Sequence, residues 1–126
     1  MRTKPMAADE EGLYQLIRLV RPLFRTLYRA VEQNLEGSGV SIPMRAALEC
    51  LAEAGPQTVP QISRALAVKR QVAQRIANEL AAAGLVEAAS NAAHARSPLL
   101  VLTGAGRSAF DAIRGRERAR TAVIAA

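Results

Sequence analysis

The sequence predicts a mainly α-helical protein with one small β-hairpin near its C-terminal end. Two patterns indicate this: apolar residues recur at three- and four-residue spacing along most of the chain, and two short apolar runs flank a polar turn in the last third. With 126 residues, 50% of them hydrophobic, the chain has the length and composition of one domain with a hydrophobic core. We therefore expect a single domain, residues 1–126, in which the hairpin precedes the last of five helices.

A long first helix is predicted from Glu11 to Glu36. Pro22 lies inside it and should kink it, because proline removes an amide donor and crowds the preceding turn. One face is apolar, and the opposite face carries a stripe of arginines. We expect this stripe to be solvated or paired with acids such as Glu32; contact with DNA backbone or an acidic partner is the alternative. The apolar face consists of Leu13, Leu16, Ile17, Val20, Leu23, Phe24, Leu27, Val31 and Leu35, and the stripe of Arg18, Arg21, Arg25 and Arg29.

Two shorter helices follow, each with an N-cap residue. Ser41 caps a helix predicted from Pro43 to about Ala54, which Gly55-Pro56 should end. Thr58 begins the third helix, and Gln61 completes a capping box with it. The inward faces are expected to be Met44, Ala47, Leu48 and Leu51 in the second helix and Ile62, Ala65 and Leu66 in the third.

The fourth helix, predicted from about Lys69 to Ala83, has a polar face suited to reading DNA. Arginine pairs with guanine edges, and glutamine or asparagine pairs with adenine edges. A short helix, a three-residue turn and a helix with such a face form a helix-turn-helix, whose second helix enters the major groove. An ordinary amphipathic helix with a solvated face is the alternative. The polar face comprises Gln71, Gln74, Arg75 and Asn78.

The hairpin is predicted from Leu85–Ala88 and Leu99–Leu102, on either side of the polar turn Ser90–Pro98. Arg96 lies in this turn, where a basic side chain can reach the neighbouring minor groove or its phosphates. Thr103 then caps the last helix. The ribbon and the helix-turn-helix together predict a winged helix-turn-helix.

The charge balance predicts an anionic partner. The chain has 17 Lys and Arg against 11 Asp and Glu, a net charge of +6, and all the basic residues except Lys4 and Lys69 are arginine. Nucleic acid is the first expectation and a membrane surface the second. Aromatic residues make up 3% of the chain, which disfavours single-strand binding by base stacking. Cys50 is the one cysteine and no apolar run reaches about 18 residues, so we expect a cytoplasmic protein with no membrane span.

Short motifs in the second half of the chain follow one another in this order: Ser41-x-Pro-Met44, Gln61-Ile-Ser-Arg-Ala-Leu66, Glu79-Leu-x-x-x-Gly-Leu-Val86, His94-x-Arg96 and Leu102-Thr-x-x-Gly106. Together they resemble the MarR family of bacterial transcriptional regulators. The resemblance implies a homodimer held by the first and last helices, about residues 11–37 and 104–126, with a DNA-binding lobe at about 41–103. It also implies a repressor that binds an inverted repeat of double-stranded DNA and is released by a small-molecule effector.

The resemblance assigns roles to single residues. Lys69 replaces the small polar cap that usually begins the recognition helix, at a cost of about 1 kcal/mol, but it adds a charge that attracts phosphate. His94 replaces a usual Asp, which puts the rigidity of the wing in question, and is expected to be a loop residue or a phosphate contact. The chain stops at Ala126, where many relatives continue, so the dimer should rest mainly on the first and last helices or be weaker. Base and phosphate contacts are implied for Arg70, Gln71, Gln74, Arg75 and Asn78, and the wing contact for Arg96.

Three further residues have two interpretations each. For Tyr14 and Tyr28 we expect core packing, with contact to a small aromatic effector, as in relatives, as the alternative. For Cys50 we expect a core position, with redox sensing as the alternative.

The sequence lacks the residues that catalysis or metal binding needs. It has one His and one Cys, and no glycine-rich phosphate loop, so we expect no enzyme activity, no cofactor and no metal site. The main rival to a regulator is a MarR-like interaction protein that has lost sequence-specific DNA binding. A nonspecific architectural protein is a further alternative, and salt dependence with competitor DNA distinguishes them.

Overall fold

The structure is a computed structural model that describes residues 7–125. Within that range the chain forms five helices and a two-stranded antiparallel sheet. Both the predicted element order and the predicted fold class are confirmed. The elements are α1 (Ala8–Leu35), α2 (Ile42–Ala54), α3 (Val59–Leu66), α4 (Arg70–Ala82), β1 (Val86–Ala89), β2 (Leu99–Leu102) and α5 (Gly104–Ala125).

The chain divides into two compact units between Gln33 and Asn34. The first unit contains most of α1, which is helical without interruption through Pro22. Tyr14 and Tyr28 are 48% and 43% exposed, so the expectation that they pack in a core is wrong for the single chain. The reason is that the whole apolar face of α1 from Leu13 to Leu27 is uncovered.

The arginine stripe of α1 is solvated. All four of its side chains are exposed, and in the described part of the chain none forms a salt bridge with Glu32 or Glu36. Arg18 lies over the ring of Tyr14, with its guanidinium carbon 6.0 Å from the ring centroid. Of the two expected states, solvated or paired with acids, the structure has the solvated one.

The core of the second unit lies among α2, α3, α4 and α5. Its fully buried large side chains are Leu48, Leu51, Ile62, Leu80 and Ile113. The expected stripe of α2 is buried throughout, but Ala65 of α3 is exposed and Leu66 only half-buried. Ser63 is buried in place of Ala65, because the chain after α3 folds back over it and accepts its hydroxyl hydrogen bond.

The predicted caps of α2 and α3 are present. The Ser41 hydroxyl accepts a hydrogen bond from the Met44 amide at 3.3 Å. At α3 the Thr58 hydroxyl accepts from the Gln61 amide at 3.3 Å, and the Gln61 side-chain oxygen accepts from the Thr58 amide at 2.8 Å. These bonds satisfy amides that have no partner inside the helix, so they define where each helix begins.

Thr103 joins the end of α4, the base of the hairpin and the start of α5. Its hydroxyl donates to the Gly84 carbonyl at 2.6 Å and accepts from the Gly106 amide at 3.0 Å. Its own amide donates to the Leu85 carbonyl at 3.1 Å. Gly106 is buried, and a Cβ at this position would collide with the Leu85 carbonyl oxygen. The Leu-Thr-x-x-Gly motif therefore encodes a close backbone contact.

An ionic network connects α5 to α2. Two guanidinium nitrogens of Arg45, Nε and Nη2, donate hydrogen bonds to the two oxygens of the Glu117 carboxylate. The distance from Nη2 to Oε2 is 2.8 Å. Arg114 adds a bond to Glu117 at 2.7 Å, and Arg45 also binds Glu49 at 2.6 Å. The guanidinium of Arg45 lies 5.9 Å from the ring centroid of Phe110. The hydrogen bonds that Glu117 accepts, mainly from Arg45 and to a smaller extent from Arg114, lower the pKa of its carboxyl group.

Replacing Gly106 with alanine should destabilise the protein by about 1–3 kcal/mol, because the added methyl group meets backbone that cannot move aside. Gly104→Ala is the matched control in the same helical turn, where a Cβ meets nothing within 4 Å and alanine is the better helix former. Urea denaturation of both variants measures the difference. Equal stability of the two variants would contradict the close contact.

Replacing Glu117 with glutamine should cost about 1–3 kcal/mol at pH 7. Because the folded-state pKa of Glu117 is lowered, its stabilisation is present above the unfolded pKa of about 4.3 and is lost as the pH falls through the folded value. The gap between wild type and variant should therefore close in acid. Urea denaturation from pH 7 downward measures it, with the more exposed Glu49→Gln as a control expected to cost about 0.5 kcal/mol or less. A gap that stays constant with pH would show that the charge of Glu117 does not contribute.

Candidate nucleic-acid interface

The turn between α3 and α4 sets the angle at which α4 is presented. It consists of Ala67, Val68 and Lys69, and Ala67 adopts the left-handed conformation with φ of 54°. The buried Ser63 hydroxyl donates to the Val68 carbonyl at 2.6 Å, and the Val68 amide donates back to the Ser63 carbonyl at 3.1 Å. This pair of bonds offsets the cost of about 1–2 kcal/mol that a left-handed alanine carries.

The polar face of α4 is exposed as the sequence predicts, and the opposite face packs inward, with Val72 half-buried. Ala73, Ile76, Ala77 and Leu80 are buried against the core, and the side chains of the polar face are exposed. The Gln74 amide nitrogen donates to the Asn78 side-chain oxygen at 2.9 Å. This bond orients both amides while leaving the Gln74 oxygen as an acceptor and the Asn78 nitrogen as a donor for a partner. We call α4 the recognition helix from here on.

The N-terminus of the recognition helix is basic and has no side-chain cap. Lys69 occupies the N-cap position without a capping hydrogen bond, and Lys69 and Arg70 are both exposed. The first amides of the helix and its dipole are therefore available to an anion. A phosphate group of a nucleic acid has the matching charge.

The wing, residues 86–102, is held by pairing between its own strands and by a bridge to the segment between α2 and α3. Its strands pair from Val86↔Leu102 to Ala89↔Leu99, and Leu100 also exchanges two backbone hydrogen bonds with Gln57 at 2.7 and 3.2 Å. Gln57 lies between α2 and α3, so this bridge fixes the wing beside the helix-turn-helix. The sequence analysis missed Gln57, because a single bridge leaves no periodic pattern.

Two clefts border the recognition helix and share Arg70. The α4–wing cleft, about 510 Å³, brings together most of the sequence-predicted site and has Ala77, Ala88 and Leu100 among its apolar residues. The α3–wing cleft, about 480 Å³, contains His94. Lys69 and Arg75 are exposed on the recognition helix outside both clefts, and among the described residues no acidic side chain lines either cleft. The predicted site residues in the α4–wing cleft are Arg70, Gln71, Gln74, Asn78 and Arg96.

The remaining predicted functional residues lie outside this surface. Tyr28 lines a shallow groove of about 250 Å³ along α1 together with Phe24, Arg25, Arg29 and Glu32. Cys50 lies half-buried on α2, where burial first and the neighbouring carboxylates second raise the pKa of its thiol. A raised pKa opposes thiolate chemistry and favours the core interpretation over redox sensing.

Neither a metal site nor a membrane span is found among residues 7–125. No group of three potential ligands from His, Cys, Asp and Glu comes together there. None of the helices in that range has the length and hydropathy required to cross a membrane.

Comparison with known proteins identifies the family. A crystal structure of a MarR family transcription regulator, SP03579, superposes with a TM-score of 0.84 at 40% identity, covering 92% of this chain and 77% of that one. The chain belongs to the MarR family. A sequence model of the MarR family matches residues 38–97, the segment that contains the helix-turn-helix and most of the wing.

Two further proteins are similar to this chain. The Mycobacterium tuberculosis protein Rv2011c is 54% identical over 56 residues, and the matched segment spans 44% of this chain and 39% of that protein. The structure of Staphylococcus aureus MarR in complex with salicylate and kanamycin has a TM-score of 0.80 at 20% identity, covering 92% of this chain and 78% of that one. The latter likeness concerns the fold.

Asn91 holds the wing turn of this MarR-family chain. Its amide nitrogen donates to the Ser97 carbonyl at 2.9 Å, and its side-chain oxygen accepts from the Ala93 amide at 3.1 Å. Asparagine at the start of a loop is typical of such turns, so the role of Asn91 could have been predicted from the sequence. These two hydrogen bonds hold the turn although His94 stands in place of the usual Asp.

Replacing Asn91 with alanine should make the wing turn mobile on the nanosecond timescale, because both hydrogen bonds of the Asn91 side chain are lost. We expect backbone NMR order parameters of residues 92–96 to fall below about 0.6. Ser90→Ala, at an exposed neighbouring position, is the control and should leave them unchanged. Rigid residues 92–96 in the Asn91 variant would show that other contacts hold the turn.

Proposed function

We propose that this protein is a sequence-specific DNA-binding transcriptional repressor that catalyses no reaction. The observation that carries the proposal is the exposed, acid-free polar face of the recognition helix beside a basic wing. Hydrogen-bonding side chains on such a face match the major-groove edges of the bases, and the wing arginine matches the minor groove or its phosphates. A repressor of bacterial genes acts where the chromosome lies, in the cytoplasm.

A homodimer is the proposed assembly. The apolar face of α1 exposes side chains such as Leu16 and Phe24, at 60% and 62%, and an apolar patch of this kind marks an interaction surface. A two-fold dimer presents two recognition helices to an inverted repeat whose half-sites lie about one helical turn apart. Sedimentation equilibrium tests this: a monomer at micromolar concentration would contradict it.

A small aromatic effector is the proposed releasing signal. Staphylococcus aureus MarR, which shares the fold, is known in complex with salicylate. Exposed Tyr14 and Tyr28 offer aromatic surface near Arg18 and Arg29 that suits an aromatic carboxylate. Salicylate titration by calorimetry tests the proposal, and the double variant Tyr14→Ala/Tyr28→Ala should bind more weakly.

The alternative function is a MarR-like partner protein without sequence-specific DNA binding. The exposed apolar face of α1 fits a different regulator as well as a second copy. A loose wing turn, caused by His94 in place of Asp, would favour this alternative, but the hydrogen bonds of Asn91 hold that turn.

Fluorescence anisotropy separates the two functions. The purified protein is titrated into its own upstream intergenic DNA and into a scrambled duplex of equal length, at two salt concentrations. A repressor should prefer the native DNA by a hundredfold or more. Weak binding that is equal on both duplexes would favour the partner protein.

Replacing Arg75 with alanine should cost about 1–3 kcal/mol on the preferred DNA and relax sequence preference, because a base contact is lost. Arg96→Ala is the matched variant: it removes the same charge from the wing and should weaken binding with little change in half-site preference. Anisotropy with single-base operator variants measures both. If Arg75→Ala leaves binding unchanged, the residue does not belong to the contact surface.

A further inference from the structure

Two side chains on the polar face of the recognition helix are hydrogen-bonded to each other. Gln74 and Asn78, which we call the amide pair, lie about one helical turn apart, and the Gln74 amide nitrogen donates to the Asn78 side-chain oxygen at 2.9 Å. Both side chains are exposed and line the α4–wing cleft. Gln71 lies on the same face, but its side chain forms no hydrogen bond within residues 7–125.

The bond to Asn78 leaves an acceptor and a donor of the Gln74 amide available. An amide nitrogen has two hydrogens, and Asn78 uses one of them, so the oxygen and the second hydrogen remain for a partner. In the major groove, adenine offers the complement of this pattern, with its N6 amino group as a donor and N7 as an acceptor. Guanine offers two acceptors there and does not match.

The positions of the two residues along the helix assign a different role to each. Gln74 lies in the second turn of α4, and Asn78 lies one turn closer to the C-terminal end. Residues near the N-terminus of a recognition helix are those that contact base edges. Gln74 is therefore the residue that contacts a base, and Asn78 orients its amide. The bond between them becomes stronger when a duplex covers this face and excludes water.

We propose that Gln74 binds the N6 amino group and N7 of one adenine in each half-site, with Asn78 as a positioning residue, and that adenine methylated at N6 is excluded. The inference rests on the proposed function, because it names a base that the recognition helix selects. In a base pair, one N6 hydrogen bonds thymine and the other faces the major groove. A methyl group therefore takes the place of the hydrogen that the Gln74 oxygen accepts.

Anisotropy with modified bases tests the contact. Selection of bound duplexes from a random-sequence pool first gives the preferred site. Each adenine of one half-site is then replaced by N6-methyladenine, which lacks the donor in the groove, or by 7-deazaadenine, which lacks the N7 acceptor. At one adenine, each replacement should weaken binding about threefold to thirtyfold without a change in salt slope, because no phosphate contact is lost.

Variants of the protein connect this effect to Gln74. Gln74→Ala should bind the modified and unmodified duplexes equally. Arg107→Ala, which changes an exposed arginine of α5 that lines neither cleft, is the control and should keep the difference.

Two variants of Asn78 test its positioning role. Asn78→Ala should reduce the discrimination between adenine and N6-methyladenine, because the Gln74 amide is no longer oriented. Asn78→Asp keeps an acceptor for the Gln74 amide nitrogen but adds a negative charge. It should therefore restore the discrimination while weakening binding to all sequences. A changed preference at a second base pair in either variant would contradict the positioning role, because Asn78 would then contact a base itself.

Side-chain NMR of the free protein tests the amide pair without DNA. The side-chain amide of Gln74 should have a higher order parameter than that of Gln71, and Asn78→Ala should lower it to the Gln71 value. Asn78→Asp should keep it high. Equal order parameters for Gln71 and Gln74 in the wild type would contradict the amide pair.

The outcomes distinguish this inference from the proposed function. If no sequence is enriched from the pool, the repressor function fails and the inference fails with it. If a sequence is enriched but no adenine is sensitive to both modifications, or the base that depends on Gln74 is guanine, the inference alone is wrong. Circular dichroism of each variant confirms that the fold is retained.

Discussion

The Thr103 hydroxyl and the close approach of Gly106 to Leu85 hold the recognition helix, the wing and α5 together. One hydroxyl connects the end of the recognition helix, at Gly84, to the first turn of α5. The two strands of the wing begin and end at this same junction. A side chain at position 106 would force the junction apart, so glycine there is a packing requirement rather than a source of flexibility.

Three further sets of hydrogen bonds hold the wing and the turn before the recognition helix in place. The bridge between Gln57 and Leu100 fixes the base of the wing beside α3, and Asn91 braces its turn. On the opposite side, Ser63 holds the left-handed Ala67 turn that precedes the recognition helix. The two clefts beside the recognition helix are therefore formed by short hydrogen-bonded segments. Positive charge is concentrated there, because no carboxylate in the described part of the chain lines either cleft.

Local signals in the sequence predicted most of the fold. The caps at Ser41 and Thr58, the buried stripe of α2 and the two faces of the recognition helix depend on residues within one or two turns of one another. Periodicity and capping chemistry therefore locate them. The polar face of the recognition helix could be predicted for the same reason.

Contacts that follow no helical or strand period account for what the sequence did not predict. The exposure of Ala65 and burial of Ser63 depend on how the turn folds back over α3, and Gln57 meets Leu100 only in three dimensions. Tyr14 and Tyr28 have the spacing of core residues, but within residues 7–125 that face stays exposed. A sequence pattern that predicts an apolar face does not show which surface covers that face.

Amide NMR of the uniformly labelled protein, titrated with its upstream intergenic duplex, shows which surface contacts DNA. We expect the largest chemical-shift changes in the recognition helix, the Ala67–Lys69 turn and the wing turn, residues 90–98. We expect small changes along the apolar face of α1. Changes concentrated in α1, with an unperturbed recognition helix, would contradict the assignment of this surface to DNA.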